Sequence, residues 1–261
     1  MKGLENGFEK GNPKSEQMVL DALNDPFWKM RIYAIETAES LGEEAKAKAK
    51  TIISNLVVND AKSDVRSSAV AYLASNNNDV ATEDLLKKAI KEDQSYQVIG
   101  TALTSFTKLN PTAALEAAKQ YENATSAKML SSVAQVYGLN GTAEQADFFA
   151  KALDGNVLSG FDQLTSMNAY TLFNSRMEVE VIEKSVPVYK ALGESGGYYT
   201  KMFIGRNMDY LNNNLEERLE ELEYDLGKFE ENNDAALADQ NRKKIAQLKS
   251  LMEKLKAVPT K

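Results

Sequence analysis

No cysteine and no histidine occur in the 261 residues of this chain. The first absence removes disulfides, thiolate nucleophiles and cysteine-ligated metals, and fits either redox compartment. The second removes imidazole, so neither a Ser-His-Asp arrangement nor an HEXXH zinc site can be assembled from this chain alone. Only carboxylate, lysine or tyrosine chemistry is left to a catalytic reading. Basic charge is also short, with 31 Lys and Arg against 38 Asp and Glu, a formal charge of -7 and a pI near 5.0. Such a surface offers little to phosphates or anionic lipid, so neither nucleic acid nor a membrane is an expected partner. No apolar run approaches the roughly 18 residues of a transmembrane helix, and Met1 to Gln17 lacks the apolar segment of a signal peptide. The expectation is a cytoplasmic chain or a piece of a processed or longer protein, with the compartment left open.

What is present is helical pattern. At 43% hydrophobic residues the chain can bury a substantial core, as one elongated or two compact domains. The stretch Asp25 to Leu41 sets the pattern. Asp25 is suited to accept from the free N–H groups of a first turn, and Pro26 to occupy the first helical position. Met30, Ala34, Ile35, Ala38 and Leu41 then form an apolar stripe with the 3.6-residue period. Asn12-Pro13 opens a preceding helix by the same device, so the two form an αα-hairpin joined at Asn24-Asp25. Gly42 is expected to close the second helix in the left-handed conformation.

The offsets of zero, four, five and eight recur at Val65, Ala69, Val70 and Leu73, then at Val98, Ala102, Leu103 and Phe106, then at Met129, Val133, Ala134 and Tyr137. The spacing of 31 to 35 residues is that of a two-helix solenoid. Asn110-Pro111 marks another helix start, and Thr142-Ala143-Glu144-Gln145 reads as a capping box. Asp154-Gly155 should end the following helix and Val157 to Phe173 should be its partner. Met177 to Leu192 is expected to be one helix kinked at Pro187, followed by a break at Ser195-Gly196-Gly197. From Tyr198 the leucines 211, 215, 219, 222 and 226 give a coiled-coil-like seam. Asn232-Asn233-Asp234 then turns the chain into a returning helix, in preference to one uninterrupted rod. The fold class expected is all-α: residues 1–11 disordered or linker, a HEAT-like α–α superhelix over 12–193, and a long-helix hairpin over 198–261 packed on the last repeat.

No residue stands out as catalytic, cofactor-binding or metal-binding. The candidate positions are structural or interactive: Asp25, Phe27, Trp28, Arg31, Asp64 and Arg66. Phe27 and Trp28 are expected to wedge between repeats, with a partner-binding anchor as the alternative. Arg31 and Arg66, each one residue past its register mark, are expected to form a ladder with helix-start acids such as Asp25 and Asp64, with an anion site as the alternative. The acids of Glu216 to Glu223 belong to a solvated face, and Asp162, Glu178 and Glu180 carry no distinguishing mark of acid–base work. Gly193 to Gly197 reads as a linker, and Asn123 and Asn140 head sequences of the glycosylation pattern.

The segment Asp25-Pro26-Phe27-Trp28-Lys29-Met30-Arg31-Ile32-Tyr33-Ala34-Ile35, followed by Asp64-Val65-Arg66-Ser67-Ser68-Ala69, resembles the C-terminal HEAT-like region of M1-family zinc aminopeptidases. That resemblance implies a non-catalytic domain that covers the active-site cleft and limits which peptides reach the zinc. Its partners would be the catalytic domain of the same polypeptide, and peptides or a protein on the concave face. Zinc would belong to the parent enzyme and to no residue of this chain, and no HEXXH or GXMEN-type motif is present. Lys29-Met30 and Ser63 depart from the family pattern. The rival reading is a free-standing HEAT-like scaffold for protein partners, with the C-terminal hairpin as a dimerisation element.

Overall fold

The computed structural model describes residues 11–154 and 157–260, and their regular structure is entirely helical, with no strand. The chain divides into two compact units, the first running to Val133 and the second starting at Ala134. Residues 1–10, on which a disordered or linker segment was expected, lie outside the described residues, as do Gly155 and Asn156.

The first unit is a stack of helix pairs. Pro13–Ala22 (α1) pairs with Trp28–Thr37 (α2), Glu43–Asn59 (α3) with Ser63–Asn76 (α4), and Val80–Glu92 (α5) with Tyr96–Leu109 (α6). Pro111–Lys119 (α7) follows and packs on α6. The second helices form one layer, α2 on α4 and α4 on α6, while α1 on α3 and α3 on α5 form the other. Burial follows the repeating offsets. Val65, Ala69, Val70 and Leu73 are 0% exposed, as are Val98, Ala102 and Leu103, because the 3.6-residue period gathers them on the face between layers. Small residues let the second helices approach: the Ser67 and Thr101 hydroxyls lie 2.8 Å apart, and a Cβ on Gly100 would overlap Ser132.

Asn12 caps α1 as its sequence implies, its Oδ1 accepting from the N–H groups of Lys14 and Ser15 at 3.0 and 3.4 Å with Pro13 behind it. Asn110 does the same for Ala113 at 3.1 Å. Asp25-Pro26 behaves differently. Helix α2 starts two residues later, at Trp28, with Phe27 as its cap, because Asp25 Oδ1 accepts from Phe27 N–H at 2.7 Å and closes a short turn first. Gly42 also departs from expectation. It is extended, at φ -69° and ψ 163°, and it begins α3 rather than closing α2, which ends through a tight 3-10 turn at Ala38–Ser40.

Ala127–Asn140 (α8) carries the last copy of the pattern, with Met129, Val133, Ala134 and Tyr137 all 0% exposed. In the second unit Gln145 accepts from Thr142 N–H at 2.8 Å and leads into Ala146–Asp154 (α9). Helix α9 packs on Gly160–Asn174 (α10) through an aromatic core. Phe149 stacks on Tyr170 at 4.7 Å, Tyr170 on Tyr189 at 5.4 Å, and Phe148 meets Tyr137 edge-on at 5.1 Å. The Tyr189 hydroxyl is buried but satisfied by Thr171 Oγ1 at 2.7 Å. Burial pushes the Tyr189 phenol above the usual tyrosine range.

Met177 to Leu192 is not one kinked helix. It is Val179–Glu183 (α11) and Val186–Ser195 (α12), with Pro187 in the first turn of α12, where its missing N–H costs nothing. Beyond Gly196-Gly197 the hairpin is present as Tyr198–Glu231 (α13) and Ala235–Lys256 (α14). Asn233 takes the left-handed conformation at φ 59°, and Asp234 Oδ1 accepts from Leu237 N–H to start α14. Helix α13 packs on α10 and α12, and α14 on α13 and α11.

Candidate functional site

The six singled-out positions all fall in the first unit, on and beside the turns that lead into α2 and α4, and a third turn of the same kind leads into α6. Each of these turns opens on an aspartate: Asp25, Asp60 and Asp93. Each aspartate uses Oδ1 to accept from the N–H two residues on, of Phe27 at 2.7 Å, Lys62 at 2.8 Å and Ser95 at 2.8 Å. This turn leaves the second carboxylate oxygen free to face the neighbouring pair. Arg31 takes up Asp60 there, Nε to Oδ2 at 2.6 Å and Nη2 to Oδ1 at 2.9 Å. Arg66 takes up Asp93 in the same way, at 2.6 and 2.8 Å. The remaining nitrogen of each guanidinium points back to its own turn. Arg31 Nη1 donates to the Asp25 carbonyl at 2.7 Å, and Arg66 Nη1 to the Asp60 carbonyl at 2.9 Å.

The result is one continuous chain of charge-assisted bonds, Asp25–Arg31–Asp60–Arg66–Asp93, in which the planar fork of arginine fits carboxylate on one side and carbonyl on the other. The side chains are largely withdrawn from water, at 13% and 3% exposure for Arg31 and Asp60, and 16% and 8% for Arg66 and Asp93. Burial alone would raise the Asp93 pKa. The Arg66 hydrogen bond and the Ser95 N–H outweigh it and hold the carboxyl below its ordinary value, while Asp93 raises the pKa of Arg66. The chain stops at the third hairpin, where the equivalent of Arg31 and Arg66 is the buried Ile99.

A ladder therefore exists, but its acids are not those expected. Asp25 meets Arg31 only through its backbone carbonyl, and Asp64 accepts instead from Gln97 Nε2 at 3.3 Å. The partners missed were Asp60 and Asp93. The signal that finds them is their spacing from Asp25, 35 and then 33 residues, which matches that of the register marks. The aromatic pair also departs from expectation. Phe27 is 53% exposed, Trp28 is only partly buried, and the two meet edge-on at 6.4 Å with Lys29 Nζ 5.4 Å from the Trp28 ring. Neither ring is a fully buried wedge.

Other features are weaker. A cleft of about 790 Å³ in the second unit is lined by Lys151, Asp154, Gln163, Pro187 and Leu192, among others. Glu178 lies 3.8 Å from Arg218, whose Nη1 donates to the Met177 carbonyl, so this acid sits within a surface ion pair. Histidine and cysteine, the usual zinc ligands, are absent from the sequence, and no three carboxylates gather among the described residues. No described helix is long and apolar enough to cross a membrane. The chain matches no known family model and no curated protein.

Proposed function

We propose that this chain is the non-catalytic helical-repeat domain of an M1-type zinc aminopeptidase, folded as a HEAT-like α–α superhelix that covers the active-site cleft and limits peptide access. The observation that carries the reading is the ladder. The two segments behind the resemblance, Asp25 to Ile35 and Asp64 to Ala69, contribute its two arginines from equivalent positions in successive hairpins. A stack tied at its first two junctions by buried forks resists sliding of those hairpins on one another, which a wall around a cleft requires. Water activation would rest with zinc and its ligands elsewhere in the polypeptide, since this chain has neither histidine nor cysteine. Its partners would be that catalytic domain, and peptides or a protein on the concave face. Nucleic acid and membrane are not part of the reading.

The test begins with the coding sequence upstream of Met1, where an in-frame HEXXH is expected. The longer protein is then compared with a version lacking Asn12 to Phe173, on the soluble zinc-loaded fraction, by the ratio of kcat/KM for a short and a long peptide. A changed ratio supports gating, and an unchanged ratio in a well-folded truncation refutes it. The free-standing scaffold reading is favoured by one observation, the half-exposed Phe27 beside the partly buried Trp28. An upstream sequence without HEXXH would decide for it.

A further inference from the structure

Asp25 repeats the features of Asp60 except one. Its Oδ1 closes the same turn and its carbonyl takes the same guanidinium nitrogen, yet among the described residues no cation reaches its carboxylate. The side of the first hairpin that carries it is open in other respects. Met30 is partly exposed, while its equivalents Val65, Val98 and Met129 are 0% exposed. Thr101 and Ser132, three residues past their marks, touch the preceding hairpin at Ser67 and Gly100. Tyr33 holds that position in the first hairpin and is also partly exposed, and Met18 on α1 is 54% exposed.

We propose that this edge, made of Asp25, Met30 and Tyr33, is a docking surface for an α-helical protein segment that presents one arginine to Asp25 and apolar side chains to Met30. The occupant is fixed by charge and by precedent within the molecule. Both interior rungs join a buried carboxylate to a forked guanidinium, and only arginine supplies the two parallel donors plus a third for a backbone carbonyl. The inference goes beyond the aminopeptidase reading and stands without it.

The test supplies the missing rung from the protein itself. In the full chain, an extra copy of residues 43–78 is placed directly before Asn12. This sets the copied arginine ahead of Asp25 at a spacing close to the natural 29 and 27 residues. The graft is expected to raise Tm and to shield the Met30 methyl from a soluble paramagnetic agent in methionine-methyl NMR. Arg66→Gln in the copy, or Asp25→Asn, should each abolish the rise, and the two together should cost no more than either alone. Asp25→Asn keeps the side-chain oxygen that closes the turn on Phe27, so in the unmodified chain it should leave Tm unchanged. Absence of a rise, or a rise that ignores both substitutions, overturns the proposal. So does an Asp25→Asn loss in the unmodified chain that vanishes on deleting residues 1–10 or on dissociating a dimer seen by sedimentation, since Asp25 would then already have another partner.

Discussion

Glu16 Oε1 accepts from Gly42 N–H at 2.7 Å, and a Cβ built on Gly42 would stand 2.8 Å from that same oxygen. A carboxylate on α1 thus caps the start of α3, a place where Gly42 offers no side chain of its own. The glycine is needed for proximity and not for a left-handed backbone, since its φ is -69°. Glu16→Ala should cost about 1 kcal/mol through the lost cap. Gly42→Ala should also destabilise the parent by displacing Glu16. In the Glu16→Ala background the same change should be neutral or should stabilise by about 0.5 kcal/mol, because alanine narrows the unfolded ensemble at a compatible backbone angle. Urea unfolding of the four proteins checks the reversal of sign.

Arg66→Ala leaves Asp93, 8% exposed, without its fork and removes a donor from the Asp60 carbonyl. Breaking a buried pair from one side costs about 3 kcal/mol or more. Arg66→Lys should recover little of this, since an ammonium cannot make the two parallel bonds and reach the carbonyl as well. Chemical denaturation of both variants measures the difference, and equal stability of Arg66→Lys and the parent would contradict the geometry.

Acid should weaken the ladder in a defined window. Because Asp93 is held below its ordinary pKa, its contribution is fully present above about pH 4, the unfolded value, and is lost as pH falls through the depressed folded value. Asp79 acts in the same direction. Lys50 and the Thr82 N–H draw it down to about 2, though this pair is 36% and 42% exposed and contributes little. Tm should be steady near neutrality and fall below about pH 4. Asp93→Asn should begin lower and fall less steeply, which thermal melts from pH 7 to pH 2 would reveal.

Trp28→Ala should cost about 1 to 2 kcal/mol, less than the 3 to 5 typical of a fully buried ring, because Trp28 retains solvent contact. A loss above about 4 kcal/mol would place the ring in a core. Since it is the chain's one tryptophan, its emission maximum gives an independent measure of its exposure.

Much of this was legible in the residues. The apolar offsets located α2, α4, α6 and α8 because burial between two layers enforces the 3.6-residue period. Asn12-Pro13, Asn110-Pro111 and Asn232 to Asp234 worked because capping and turn chemistry are local. Asp25-Pro26 misled because the same dipeptide pattern serves two turns. Beside Arg31 the chain closes first on Phe27 N–H, so the helix begins later than the proline suggests. Asp60 and Asp93 were passed over since their role depends on an arginine nearly 30 residues away, a relationship that helix periodicity does not carry. Pro187 was read as a kink for want of knowing that α11 ends before it.

The replacement of arginine by Ile99 gives the first unit a grain. Its first two junctions carry ion pairs, and the third, where Gly100 meets Ser132 and the Tyr121 hydroxyl donates to the Ile90 carbonyl at 2.7 Å, carries none among the described residues. Loss of the Asp93 charge in acid therefore loosens the junction of α4 with the turn into α6 and leaves the Gly100–Ser132 junction without a matching change. Below about pH 4 the unit should fray directionally, with amide protons of α2 and α4 exchanging by local opening ahead of those in the second half of α6, so that the order of release is written by the last arginine in the series.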